Sequence, residues 1–108
     1  MKLEENMYVR TKNGEIHKIK SIDDNFLKYE NGFGVPLVLG GHITKASHSI
    51  IDLIQVGDYV NGLKVYEVRN DIKGFGVVVF SDCSIHEWQI SSIVTKEQFE
   101  QMQYKVDE

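Results

Sequence analysis

Three Asn-Gly steps punctuate this chain, at Asn13-Gly14, Asn31-Gly32 and Asn61-Gly62. Both residues tolerate positive φ, which a tight reversal between antiparallel strands requires. Short runs rich in β-branched and aromatic residues flank each step: 7–11, 15–22, 25–29 and 33–39, then 58–60 and 63–69. A chain reversed this often has no room for long helices, so the pattern predicts a mostly β protein. Residues 75–80 are apolar on both faces and read as a central strand. Pro36, the only proline, lacks an N–H, so the run 33–39 is an edge strand or is broken there. Residues 40–48 read as a looser segment and 52–56 as a turn or one-turn helix. Residues 85–94 read as one or two further strands.

Near the C-terminus, Thr95-Lys96-Glu97-Gln98 matches a capping box. Val94 and Phe99 stand where a hydrophobic staple closes around such a cap, so a helix is expected over about 95–103, then a short strand or docked tail at 104–106. The length of 108 residues fits one domain, 1–108. Within it, two stretches, 7–54 and 58–106, resemble each other. Met7-Tyr8-Val9 with Asn13-Gly14 matches Asp58-Tyr59-Val60 with Asn61-Gly62. Asn31-Gly32-Phe33-Gly34-Val35 matches Lys73-Gly74-Phe75-Gly76-Val77, and Ser49-Ile50-Ile51 matches Ser92-Ile93-Val94. Duplication and chance recurrence of glycine and valine both account for this.

The stretch Val56-Gly57-Asp58-Tyr59-Val60-Asn61-Gly62-Leu63-Lys64-Val65 resembles the opening of a small SH3-like barrel. The expected fold is therefore a small SH3-like barrel or two packed short sheets, with one short C-terminal helix. Residues 51–62 together with Ser92-Ile93-Val94-Thr95-Lys96-Glu97-Gln98-Phe99 resemble small proteins encoded by phages and prophages of low-GC Gram-positive (Firmicutes) bacteria. The likeness spans about 7–106. It implies a genomic context and no mechanism: an accessory protein that binds a host or phage macromolecule, countering host defence being one role such proteins take.

The formal net charge is -4, and it sits in the second half. Residues 1–54 carry seven basic and seven acidic side chains; 55–108 carry five and nine. Direct nucleic-acid binding is not expected without a basic footprint, although Arg10, Lys12, Lys18, Lys20 and Lys28 lie close in sequence. A protein partner suits the acidic half better. One cysteine, Cys83, excludes an intrachain disulfide and suggests a reducing compartment, here the cytoplasm of a bacterial host. The first six residues have no apolar core for a signal peptide, and no apolar run is long enough to span a bilayer.

No constellation of residues points to catalysis, and no cofactor is expected. Cys83-x-x-His86 with Asp82 and Glu87 has ligand-like spacing. No second cysteine exists, and His42 or His48 would have to complete the set, so no metal site is expected. Asp82 and Glu87 would raise the thiol pKa, which disfavours a nucleophilic role. Ser47, His48, Ser49 and Asp52 are too close in sequence to converge as a triad. Two binding regions remain. Trp88, flanked by His86 and Glu87, has the character of an interface anchor or of a ring capping one end of the barrel. Gly40-Gly41, with Lys45 or His48, could present backbone N–H groups to a small anionic ligand such as a signalling nucleotide. An exposed strand edge near Pro36 is the other surface through which a macromolecular partner could be met, and a homo-oligomer paired through the open edge is the third alternative. Phe33, Phe75, Phe80, Tyr59 and Tyr66 are expected to fill the core or its rim.

Overall fold

A computed structural model describes residues 2–36 and 42–102 of the chain. The protein is mostly β, with eleven strands and one short C-terminal helix among these residues. Its backbone divides into two compact units, Met1–Leu53 and Ile54–Glu108.

The first unit holds β1 (Tyr8–Thr11), β2 (Ile16–Ile22), β3 (Phe26–Tyr29), β4 (Gly34–Pro36) and β5 (Ile43–Ser47). They form one antiparallel sheet in the order β4-β3-β2-β1-β5. Pro36 thus lies on an edge strand, where its missing N–H costs no ladder bond. Alternation sets the core: in β3, Leu27 and Tyr29 are buried while Phe26 and Lys28 face solvent. Val9, Ile19 and Ile43 complete that core.

Strand β5 corrects the reading of 40–48 as a loose segment. Ile43-Thr44-Lys45-Ala46-Ser47 has little apolar signal of its own. Its strand character comes from pairing with β1, Tyr8 opposite Ser47 and Arg10 opposite Lys45. The Thr44 hydroxyl adds a bond to the Arg10 carbonyl at 3.1 Å. After β5, a 3-10 turn spans Ile50–Leu53, slightly ahead of the expected 52–56.

The hairpins share one construction. The Thr11 N–H donates to the Glu15 carbonyl, and the Gly14 N–H donates back to the Thr11 carbonyl. The same pair of bonds recurs over Tyr29 to Phe33 and Asp71 to Phe75. Each is a three-residue loop ending in a glycine, with φ of 82°, 93° and 87° at Gly14, Gly32 and Gly74. That geometry, a tight turn followed by a left-handed residue, matches the strand twist. Among the described residues, only Asn61-Gly62 makes a two-residue turn with both φ positive, at 52° and 82°.

The second unit holds β6 (Tyr59–Val60), β7 (Leu63–Lys64), β8 (Glu67–Asn70), β9 (Gly76–Val79), β10 (Ser84–His86), β11 (Ile93–Val94) and α1 (Lys96–Met102). Two three-stranded sheets result, β10-β9-β8 and β11-β6-β7. β9 is central, as its two-faced apolar pattern requires, with Val77 and Val78 buried. The single return strand expected over 63–69 is split at Val65-Tyr66. Val65 is fully buried there, and its N–H donates to the Asp58 carbonyl.

The sheets do not close into a barrel, so of the expected architectures the separate short sheets stand, three in number. Since β7 leads almost directly into β8, the neighbours run β11, β6, β7/β8, β9, β10. The first unit repeats that order as β5, β1, β2, β3, β4. The first matched segment, around residues 8–14 and 59–62, falls on equivalent hairpins. The Gly-Phe-Gly pairs and the Ser-Ile pairs fall on different elements of that order.

Helix α1 starts as its cap dictates. The Gln98 N–H donates to Thr95 Oγ1 at 3.3 Å, and the Thr95 N–H to Gln98 Oε1 at 3.2 Å. The ring partner of Phe99 is Tyr59, stacked at 4.4 Å. Gln103 and the expected element at 104–106 lie outside the described residues.

Candidate functional site

In the second unit, the hairpin between β8 and β9 meets the segment after β10. Asp71 opens that hairpin. Its Oδ1 accepts from the Lys73 and Phe75 N–H groups at 2.8 and 2.9 Å, holding the loop shut. Its Oδ2 lies 3.0 Å from His86 Nε2. The hydrogen bond to His86, with the two backbone donors, holds the Asp71 carboxyl below its ordinary value. His86 ends β10, and a 3-10 turn over Glu87–Gln89 follows. The Gln89 side chain accepts from the His86 N–H at 2.9 Å, and the Glu87 carbonyl accepts from the Ile90 N–H, fixing the turn from both ends.

This turn places Trp88 face to face with the His86 ring, at 4.4 Å and 8°. Phe75 meets Trp88 edge-on at 5.7 Å and 86°. The cluster is open to solvent: Trp88 is 66% exposed and Phe75 51%, and Ile72 on the same hairpin is 102% exposed. Trp88 therefore does not cap a core. Phe33, Phe75 and Tyr66 are also exposed, which corrects their expected place in the core or its rim; Phe80 is buried and Tyr59 half-buried. Sequence reasoning picked out Trp88, His86 and Glu87 but missed Phe75 and Asp71. Their signal was the hairpin itself, whose first residue closes the loop and whose fifth leaves it outward.

Of the residues expected to form an anion site, Gly40 and Gly41 lie outside the described residues. Lys45 is exposed on β5. His48 pairs with Glu4, Nε2 to Oε1 at 3.1 Å, which puts a carboxylate where an anion would need a donor. Ser47 donates to Asp52 at 2.6 Å, so that serine, His48 and the carboxylate form no relay. Two of the five residues of the basic cluster are engaged elsewhere. Arg10 is 1% exposed, and its guanidinium donates to the Leu53 carbonyl at 2.9 Å. Lys18 lies 5.5 Å over the Tyr8 ring and 3.8 Å from Glu30.

Cys83 is an exposed loop residue. Partial desolvation and the Asp82 carboxylate push its thiol up. Among the described residues, no three His, Cys, Asp or Glu side chains are grouped to hold a metal ion.

A second concavity belongs to the first unit. It encloses about 360 Å³ between the β1–β2 and β3–β4 hairpins. His17, Tyr29, Phe33 and His42 line it with Lys12 and Glu15. His17 stacks on Tyr29 at 4.4 Å and 10°. The Tyr29 hydroxyl is 3.3 Å from His42 Nε2. Burial, and then the Glu15 carboxylate, raise the Tyr29 phenol.

No family model, curated protein or solved structure matches the chain.

Proposed function

We propose that the chain is a non-catalytic binding protein that engages a macromolecular partner through the Trp88 cluster of its second unit. The observation that carries this reading is the exposed Trp88–Phe75 pair, with a fully exposed Ile72 on the same hairpin as Phe75. Leaving three large apolar side chains in water forfeits burial of roughly 1.5–3 kcal/mol each, a cost that a partner's surface would recover. The cluster is also held in shape beforehand, by Asp71 on one side and the 3-10 turn on the other. Preorganisation of this kind lowers the entropy lost on binding. The excess of acidic residues in 55–108 favours a partner carrying basic groups. The upward push on the Cys83 thiol, and the pairing of Ser47 with Asp52 while His48 meets Glu4 instead, support binding in preference to chemistry. The phage or prophage setting implied by the sequence resemblance makes a host or phage protein, such as a defence component, the partner class.

The test is capture from a Firmicutes host lysate with tagged wild type, Trp88→Ala, Phe75→Ala and Lys20→Ala in parallel. A protein retained by wild type and Lys20→Ala, but weakened at least about tenfold by the two aromatic variants, is the expected outcome. Equal retention by all four proteins would remove the surface from consideration.

A further inference from the structure

The concavity of the first unit shares no residue with the Trp88 cluster, and its lining specifies a ligand of a different kind. Its volume of about 360 Å³ lies within the range of small-molecule sites. Two rings, His17 and Tyr29, are already stacked in its wall, and a third, Phe33, is 73% exposed. Rings in that state favour a flat aromatic guest, which gains stacking and loses little freedom. The formal charges of the lining cancel, Lys12 against Glu15. A full cation or anion would meet one like charge for each opposite charge, so a neutral guest fits better. The polar groups then select its edge. The Glu15 carboxylate can only accept hydrogen bonds. Its weak contact to His17 Nε2, at 3.7 Å, leaves acceptor capacity facing the cavity. An exocyclic amino group satisfies it, whereas a ring N–H flanked by two carbonyl oxygens brings acceptor oxygens up against the carboxylate.

We propose that this cavity binds a small molecule carrying a neutral, planar heteroaromatic ring with an exocyclic amino group, of the size of a nucleobase or nucleoside. Phe33 supplies the stacking face, and Glu15 accepts from the amino group. The even charge of residues 1–54 offers no footprint for a phosphate backbone, so the ring comes from a free molecule and not from a nucleic-acid strand.

The experiment is a heteronuclear NMR titration of the full chain with cytidine, guanosine, adenosine and uridine. Tetramethylammonium, benzoate and a single-stranded oligonucleotide serve as contrasts. An amino-bearing nucleoside should saturate with a Kd on the order of 0.1 mM, shifting signals of His17, Tyr29 and Phe33. Uridine should bind roughly tenfold more weakly than cytidine. Phe33→Ala should weaken binding about tenfold or more. Glu15→Gln should narrow the gap between cytidine and uridine, and Trp88→Ala should change nothing. Both cavity residues are half or more exposed at the side chain, and an unchanged amide spectrum confirms that each variant is folded. No saturable shift with any nucleoside, equal affinity for cytidine and uridine, or unchanged binding by Phe33→Ala overturns the proposal. Tighter binding of tetramethylammonium or benzoate overturns it in favour of a charged guest. Preference for the oligonucleotide overturns the free-molecule source. The Trp88 reading is untouched by any of these results, since the two sites share no residue.

Discussion

Asp58 is fully buried, and each of its oxygens has a separate task. Oδ2 accepts from the Gln55 N–H at 2.7 Å, closing the turn that enters β6. Oδ1 accepts from the Lys96 N–H at 2.9 Å, joining that turn to the first residue of α1. Charge-assisted bonds of this length are among the stronger ones, and a buried donor left without a partner costs about 1–3 kcal/mol. Asp58→Ala orphans two donors. It should destabilise the protein by roughly 2–5 kcal/mol, read as a fall in the denaturant midpoint with an unchanged slope. Asp58→Asn keeps one oxygen and points an amide donor at the other N–H, so it should fall between wild type and Asp58→Ala. The Gly57-Asp58 step was legible as the start of a strand. Its second task was not, because Lys96 is 38 positions away and nothing local announces it. Arg10 was misread for a similar reason. Among nearby lysines it suggests a basic patch, and only the fold shows its guanidinium turned inward to Leu53.

At the scale of elements, the hairpins carry both the fold and the site. A first residue that accepts from the far side of the loop recurs: Thr11 Oγ1 from the Glu15 N–H, Asp71 Oδ1 from the Phe75 N–H. In the β8–β9 hairpin the other oxygen of this carboxylate is the hydrogen-bond partner of His86. Asp71 is held below its ordinary 3.8, chiefly by the His86 hydrogen bond. A carboxyl depressed in the folded state adds stability that is fully present above its unfolded pKa and is lost as pH falls through the lower folded value. Acidification below 3.8 should therefore loosen this hairpin. Amide signals of Lys73 and Phe75, followed against pH, should titrate below that value in wild type. In His86→Ala the midpoint should move back up towards it. An unmoved midpoint would separate the imidazole from the carboxyl. Turn chemistry made most hairpins visible in the sequence, because glycine and asparagine mark reversals wherever they occur. It could not reveal that Asn13 and Asn31 sit inside three-residue loops, nor that Thr44 and Lys45 belong to a strand. Loop length and β5 both depend on pairing partners remote in sequence.

For the whole molecule, period-2 alternation and turn spacing were enough to give the mostly β class. Partition into three sheets was not legible, since it depends on which edges pair across tens of residues, as β11 does with β6. The candidate surface was half legible. Trp88 and His86 stood out as an aromatic and a titratable residue in a polar setting, while Phe75 became visible only when its hairpin brought it to Trp88. Charge is the property that acts at this scale. With the -4 confined to 55–108, association with a basic partner should be steered and salt-sensitive. A tenfold rise in salt should slow association by roughly an order of magnitude while changing dissociation far less. Stopped-flow mixing with the captured partner reads both rates. Salt-independent association would assign the attraction to apolar contact alone.

Trp88 is the chain's single tryptophan, and it stands at the open surface against a histidine ring. Excited at the red edge, where its five tyrosines do not absorb, the protein therefore emits from one known spot, with no second indole to blur it. Its colour reports how wet that spot is, and its brightness reports whether the imidazole stays stacked on it. The molecule thus has a built-in optical gauge where its partner is expected to land, with no dye or label between the reading and the surface.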